Sequence, residues 1–142
     1  KEGITVALGT DGTSSNNNLD MLEEVNLAAM LHKVVSYDPT AVPAKTALQM
    51  GTVEGAKALG YHDVGKLEAG QKADIVLLSM KGAAWTPCYD PVSLLVYSAN
   101  ASAADTVIVD GRLLMEKREV LTMDEEKILY EAGKCADRLV AK

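Results

Sequence analysis

Cysteine, histidine and long apolar runs are all scarce in this chain of 142 residues. Its two cysteines, Cys88 and Cys135, stand far apart and form neither a metal-type nor a redox spacing. That usage fits a reducing, cytoplasmic setting. Apolar runs such as Ile75-Val76-Leu77-Leu78 are far too short to span a bilayer, and no signal-sequence pattern opens the chain. There is no basic stripe: 14 Lys and Arg stand against 20 Asp and Glu, for a net charge of −6. That balance argues against nucleic acid and against an anionic membrane surface as partners. Nor is there an internal repeat, or a low-complexity tract beyond the brief run Asn16-Asn17-Asn18.

What is there is ordinary for a globular protein, at 48% hydrophobic and 24% charged residues. The informative stretch comes first. Ile4-Thr5-Val6-Ala7-Leu8 reads as a buried strand. It runs into Gly9-Thr10-Asp11-Gly12 and a loop of small polar residues, Thr13 to Asn18. A carboxylate on the loop leaving a buried strand sits where barrels and open α/β sheets hold their chemistry. Asp11 is thus a candidate metal ligand or proton carrier, with plain turn-shaping as the alternative. A strand apolar on both faces needs neighbours on both sides, and few residues here can supply them. The chain, which begins with Lys1, reads as the tail of something longer.

Asn18 is placed to cap a helix from Leu19, with Asp20, Glu23 and Glu24 near its positive end. Leu22, Val25, Ala29 and Val34 or Val35 recur at helical spacing, and Asp38-Pro39 ends the element. Pro43 suits the first position of a short helix over Ala44–Met50. Thr52 heads another, closed by Gly60 in a left-handed conformation. Beyond Gly60 the chain turns β-rich. Ile75–Leu78 is a strand, and Asp110-Gly111 joins Thr106–Val109 to Arg112–Met115 as a hairpin. Glu119–Leu121 adds a further strand, while Ser93–Tyr97 suits a strand or a helical turn. A last helix begins at a capping box of Thr122 and Glu125, with Ile128, Ala132, Cys135 and Leu139 on one apolar face. The units expected are 1–60, 61–121 and the closing helix 122–142.

Other clusters carry less. Glu23 and Glu24 are adjacent and so diverge on a helix. Asp124-Glu125-Glu126 is charge at a helix start. Ser14 and Ser15 lack the His and Asp of a nucleophilic triad. Gly65 to Gly70 lacks the Gly-Lys-Ser/Thr ending of a phosphate loop. Trp85 and Tyr89 are expected to plug the β module.

Three segments in order resemble one family. Gly9-Thr10-Asp11-Gly12, Ser15-Asn16-Asn17 and Leu19-Asp20 are similar to the last barrel strand of the amidohydrolase superfamily and the loop after it. Gly55-Ala56-Lys57-Ala58-Leu59-Gly60, then Gly65-x-Leu67-x-x-Gly70-x-x-Ala73-Asp74-Ile75-Val76, resembles that superfamily's return from barrel to β-sandwich. Asp90-Pro91-Val92-Ser93, Val96-Tyr97-Ser98-Ala99 and Val107-Ile108-Val109-Asp110-Gly111 resemble the tail of its aminopurine deaminase and chlorohydrolase branch, nearest to methylthioadenosine/S-adenosylhomocysteine deaminases. Leu94 departs from the branch, standing where relatives often carry a polar residue.

The resemblance implies an α/β fold. The chain would hold the C-terminal fragment of a (β/α)8 barrel (the last strand and following helices), part of a small β-sandwich and a C-terminal helix. It implies a divalent metal, zinc foremost and iron as the alternative, held by histidines of earlier strands and by Asp11. The reaction implied is metal-assisted hydrolytic deamination of an adenine-type ring, with Asp11 orienting the attacking hydroxide and carrying its proton to the leaving amine. Ser15 matches a position that contacts the purine, and Asn16 and Asn17 are expected to brace the loop. The partners implied are a small-molecule substrate and further copies of the chain in a homo-oligomer. The family's histidines are absent. Of the two present, His32 falls on a helix and His62 in a turn, and neither reads as a ligand. The fragment alone is therefore expected to be inactive. The alternatives are another ring substrate (guanine, a pyrimidine or a chlorotriazine) or a non-catalytic assembly module.

Overall fold

A computed structural model describes residues 3–141. Its elements run α1 (Thr13–Asn16), α2 (Met21–Ser36), α3 (Ala44–Met50), α4 (Val53–Ala58), β1 (Ile75–Leu78), α5 (Pro91–Tyr97), β2 (Ala104–Val109), β3 (Arg112–Glu116), β4 (Glu119–Val120) and α6 (Glu125–Val140). Short 3₁₀ turns lie at Ala83–Trp85 and Ala101–Ala103. Among the described residues the architecture is α/β with one four-stranded antiparallel sheet in the order β1-β2-β3-β4. No helix among the described residues is long and apolar enough to cross a membrane.

The helical part centres on α2. Asp20, not Asn18, is its cap: Oδ1 accepts from the amides of Leu22 at 2.9 Å and Glu23 at 3.2 Å. Asn18 does not reach the helix amides because its Oδ1 accepts from the Asp20 amide instead, at 3.1 Å, which leaves Asp20 in the capping position. The helix closes at Tyr37 in a left-handed conformation, just before Asp38-Pro39. Val25 and Ala29 of α2, Ala47 of α3 and Val96 of α5 form the buried cluster, with Leu8, Val42, Ala44 and Leu48 packed against it. The small side chains at Ala29 and Ala47 let the helices approach closely. Asn26 Nδ2 fastens α2 to α5 by donating to the Val96 carbonyl at 2.9 Å.

Val34 and Val35, expected on the face of Val25 and Ala29, lie instead with Leu27 and Leu31 on a second apolar row of α2, which stays exposed, Val35 at 75%. The strand expected at Ile4–Leu8 does not form, and Ile4 is 76% exposed. The segment makes one ladder-like bond, from Leu8 N to the Met50 carbonyl at 3.2 Å. An extended apolar segment becomes a strand only when neighbours bond its edges, and no strand lies beside it among the described residues.

In the β module, the Asp110-Gly111 turn has both residues at positive φ, +49° and +74°, as a two-residue hairpin demands. Asp74 Oδ1 accepts from the Asp110 amide at 2.6 Å, and Ala73 O from the Gly111 amide at 3.1 Å. The Ala73-Asp74 and Asp110-Gly111 motifs thus meet in space. Lys117 and Arg118, both at positive φ, make a second tight turn into β4. Ser93–Tyr97 is helical, within α5. Helix α6 is capped by Asp124, whose Oδ1 accepts from the Lys127 amide at 3.0 Å. Its cap is thus two residues past the expected Thr122. Its apolar face, Ile128, Ala132, Cys135 and Leu139, is exposed rather than packed. Trp85 is buried as expected, but Tyr89 is 92% exposed and plugs nothing.

Candidate functional site

Asp11 lies on a loop of unusual backbone. Its φ is +58°, a left-handed conformation that Asp tolerates because its short side chain bonds locally. Oδ1 accepts from the Gly12 amide at 2.7 Å, and Oδ2 accepts from Ser15 Oγ at 2.7 Å. Thr10 Oγ1 donates to the Asp11 carbonyl at 3.0 Å. The one-turn helix α1 (Thr13–Asn16), unforeseen in the sequence, carries Ser15 back over Asp11. The Ser15 hydroxyl, and after it the Gly12 amide, hold the Asp11 carboxyl below its ordinary value of 3.8.

Asn16 anchors this loop. Its Nδ2 donates to the Thr10 carbonyl at 2.9 Å and to Glu24 Oε1 at 2.6 Å. Asn17, at φ +67°, terminates α1. The bracing expected of this pair thus falls to Asn16 through its side chain and to Asn17 through its backbone. Glu24 was no part of any motif; its partner lies eight residues back, a separation no helical or turn pattern marks. Asn18 Nδ2 donates to Glu23 Oε2 at 2.5 Å.

Among the described residues the donor set for a metal is incomplete. Each Asp11 oxygen accepts one hydrogen bond and keeps a lone-pair site free, so the exposed carboxylate fits as one hard oxygen ligand. Among the described residues no three His, Cys, Asp or Glu side chains converge to complete a site. His32 and His62 are exposed and apart from Asp11 in the sequence and the elements they occupy. Two surface hollows, of about 230 and 440 Å³, are lined around Trp85 and Arg118 and around Asp20 and Tyr97, and neither includes Asp11. Asp11 opens instead onto solvent.

The chain as a whole has relatives among known proteins. The amidohydrolase family profile matches residues 1–114. A 5'-deoxyadenosine deaminase of Methanosarcina barkeri is 52% identical over the whole chain, which covers 33% of that protein. A 5-methylthioadenosine/S-adenosylhomocysteine deaminase of Dictyoglomus thermophilum is 54% identical, again with 33% of its length covered. The crystal structure of an adenosine deaminase from Xanthomonas campestris with bound zinc superposes with a TM-score of 0.93 at 36% identity, over 98% of this chain and 32% of that one. Atrazine chlorohydrolase from Arthrobacter aurescens, complexed with zinc, gives 0.81 at 33% identity, over 93% of this chain and 30% of its own. The chain spans about a third of the length of the curated relatives it matches. It belongs to the amidohydrolase family.

Proposed function

We propose that this chain is the C-terminal part of a metal-dependent hydrolase that deaminates an adenine-type ring, and that Asp11 is the acid it contributes. The observation that carries the reading is the Asp11 loop. A carboxylate is held in a left-handed turn by Gly12 and Ser15, in a segment about half identical to deaminases of methylthioadenosine, S-adenosylhomocysteine and 5'-deoxyadenosine. Residues 1–60 would close the barrel, 61–121 form the sandwich part, and 122–142 add the closing helix. The exposed row on α2 supports this. A helix apolar on two faces belongs between two layers, and only one of those layers is built by these residues.

When bound, a divalent metal, zinc in this reading with iron as the alternative, lowers the pKa of the attacking water. This chain offers it one oxygen ligand, and histidines from elsewhere would complete the set. In hydrolytic deamination water adds to the ring carbon and ammonia leaves. Asp11 takes a proton from the water and returns it to the departing amine. Ser15 has a single hydroxyl hydrogen. With that hydrogen on Asp11, its oxygen lone pairs are free to accept an N–H from the exocyclic amine on the ring. The setting is cytoplasmic, the partner a small nucleoside, and the assembly a homo-oligomer.

The test is Asp11→Ala in the full-length protein that carries this segment. Loss of both turnover on 5'-deoxyadenosine or methylthioadenosine and of metal content is expected. Retention of both removes Asp11 from the reaction. A second reading, hydrolysis of a related ring such as guanine, a pyrimidine or a chlorotriazine, draws on the 33% identity to atrazine chlorohydrolase. Ammonia release from the adenine nucleosides separates the two.

A further inference from the structure

We propose that Asn16 and Glu24 act together as positioning residues that aim the Asp11 carboxylate, an inference that rests on the role of Asp11 given above. The bonds Asp11 makes through its own side chain, to Gly12 and Ser15, lie inside its own turn. They fix the carboxylate within the loop but do not fix the loop on the protein. That second task falls to Asn16. Its amide nitrogen carries two hydrogens, and the half-buried group uses both: one on the carbonyl of Thr10, the peptide unit that enters Asp11, at 2.9 Å, and one on Glu24 Oε1 at 2.6 Å. Glu24 stands in the first turn of α2, whose start is held by Asp20. A rigid helix end is thereby linked, through one side chain, to the peptide that carries the acid.

The chemistry is specific to an amide at position 16. Two acceptors, one of them charged, flank a single nitrogen, and only an NH₂ group satisfies both without a charge of its own. Aspartate there would turn an oxygen toward a carbonyl and a second carboxylate. Position 24 needs only an acceptor oxygen, so glutamine preserves the link and leucine removes it. Partners that orient a ligating or catalytic group without touching the reactants typically change activity or metal affinity by about 10–100-fold.

The experiment uses the full-length protein that carries this segment, with Asn16→Asp, Glu24→Gln, Glu24→Leu, the double variant Asn16→Asp/Glu24→Leu and Asp11→Ala. It measures kcat and KM on 5'-deoxyadenosine, the rate at which a chelator strips zinc, and thermal unfolding. Asn16→Asp and Glu24→Leu are expected to lower kcat about 10–100-fold and to speed zinc loss by a similar factor, with KM nearly unchanged. Glu24→Gln should stay near the parent, and the double variant should be no worse than either single one. If Asn16→Asp unfolds, the Gln and Leu variants at position 24 decide: equal kcat and equal zinc retention in that pair overturn the proposal. Parental kcat and zinc retention in Asn16→Asp overturn it as well, while Asp11→Ala is dead. Should Asp11→Ala itself keep turnover and metal, the role of Asp11 falls, and the aiming role with it.

Discussion

Lys33 Nζ donates to the carbonyl of Val42 at 3.0 Å, across the turn that leaves α2. The same ammonium reaches the carbonyls of Ala41 and Ala29, each at 2.8 Å, and lies 5.5 Å from the centroid of the Tyr97 ring. Val42 needs that grip. Its φ is +42°, and a β-branched side chain in the left-handed region is strained by about 1–3 kcal/mol. Its packing on the buried cluster and the charged clamp from Lys33 together offset the strain. Hydrogen bonds to a charged group contribute about 1.5–3 kcal/mol, so Lys33→Met, which keeps most of the stem, should cost about 2 kcal/mol. Chemical denaturation of the full-length protein measures it; an unchanged midpoint means the clamp contributes nothing.

Asp38 gives a dependence on pH. The Thr40 hydroxyl donates to Oδ1 at 2.6 Å and the Thr40 amide at 2.8 Å. These bonds, the hydroxyl first, hold the carboxyl below its ordinary value of 3.8. A folded pKa below the unfolded one adds stability that is complete above the ordinary value and is lost as pH falls through the folded one. Thr40→Ala should therefore raise the Asp38 pKa while leaving the amide bond in place. A carboxyl NMR titration that finds Asp38 unmoved in the variant refutes the assignment.

Asp20 holds two parts of the molecule with two oxygens. Oδ1 caps α2, and Oδ2 accepts from the Ala101 amide at 2.9 Å. Asp20→Asn separates the two roles. An asparagine oxygen still caps about as well as aspartate, but its NH₂ would then face the Ala101 N–H, donor against donor. The expected cost is about 1 kcal/mol, that of one lost hydrogen bond at an exposed amide that water can reach. Faster amide exchange should appear at Ala101 but not at Leu22. Equal protection at Ala101 in both proteins contradicts the bridge.

The hairpin was legible because Asp110-Gly111 names its own turn, and Ile75–Leu78 because a short β-branched run precedes a partner of the same kind. α5 was legible in principle. Asp90 accepts from the amides of Val92 and Ser93, and Pro91 sits at the first helical position. That start signal outranks the ambiguous apolar run behind it. Ile4–Leu8 misled because periodicity reports what a segment can bury, not whether a neighbour is present to bury it. At the site, the motif singled out Asp11 and Ser15, yet their mutual bond depends on α1, a single turn too short to leave a periodic trace. The Asn16–Glu24 link was invisible for a different reason: a side-chain amide with two acceptors leaves no composition or spacing behind.

Gly65 and Gly70 share nearly the same φ, +88° and +89°, and differ in what surrounds them. A Cβ on Gly70 would meet nothing within 4 Å, so Gly70→Ala should cost only the left-handed penalty, about 1 kcal/mol. A Cβ on Gly65 would lie 2.9 Å from Val53 Cα, 3.1 Å from Ala56 Cβ and 3.2 Å from Thr52 O. The first and last of these are backbone atoms of α4 and its cap, which cannot swing aside as a side-chain tip would. Gly65→Ala should therefore add an overpacking cost of about 1–3 kcal/mol to the same backbone penalty. The difference between the two variants isolates the close approach of the loop to α4. Denaturation midpoints measured side by side would show Gly65→Ala clearly the less stable; equal midpoints would mean that α4 moves away freely and that the contact with Gly65 does not hold it.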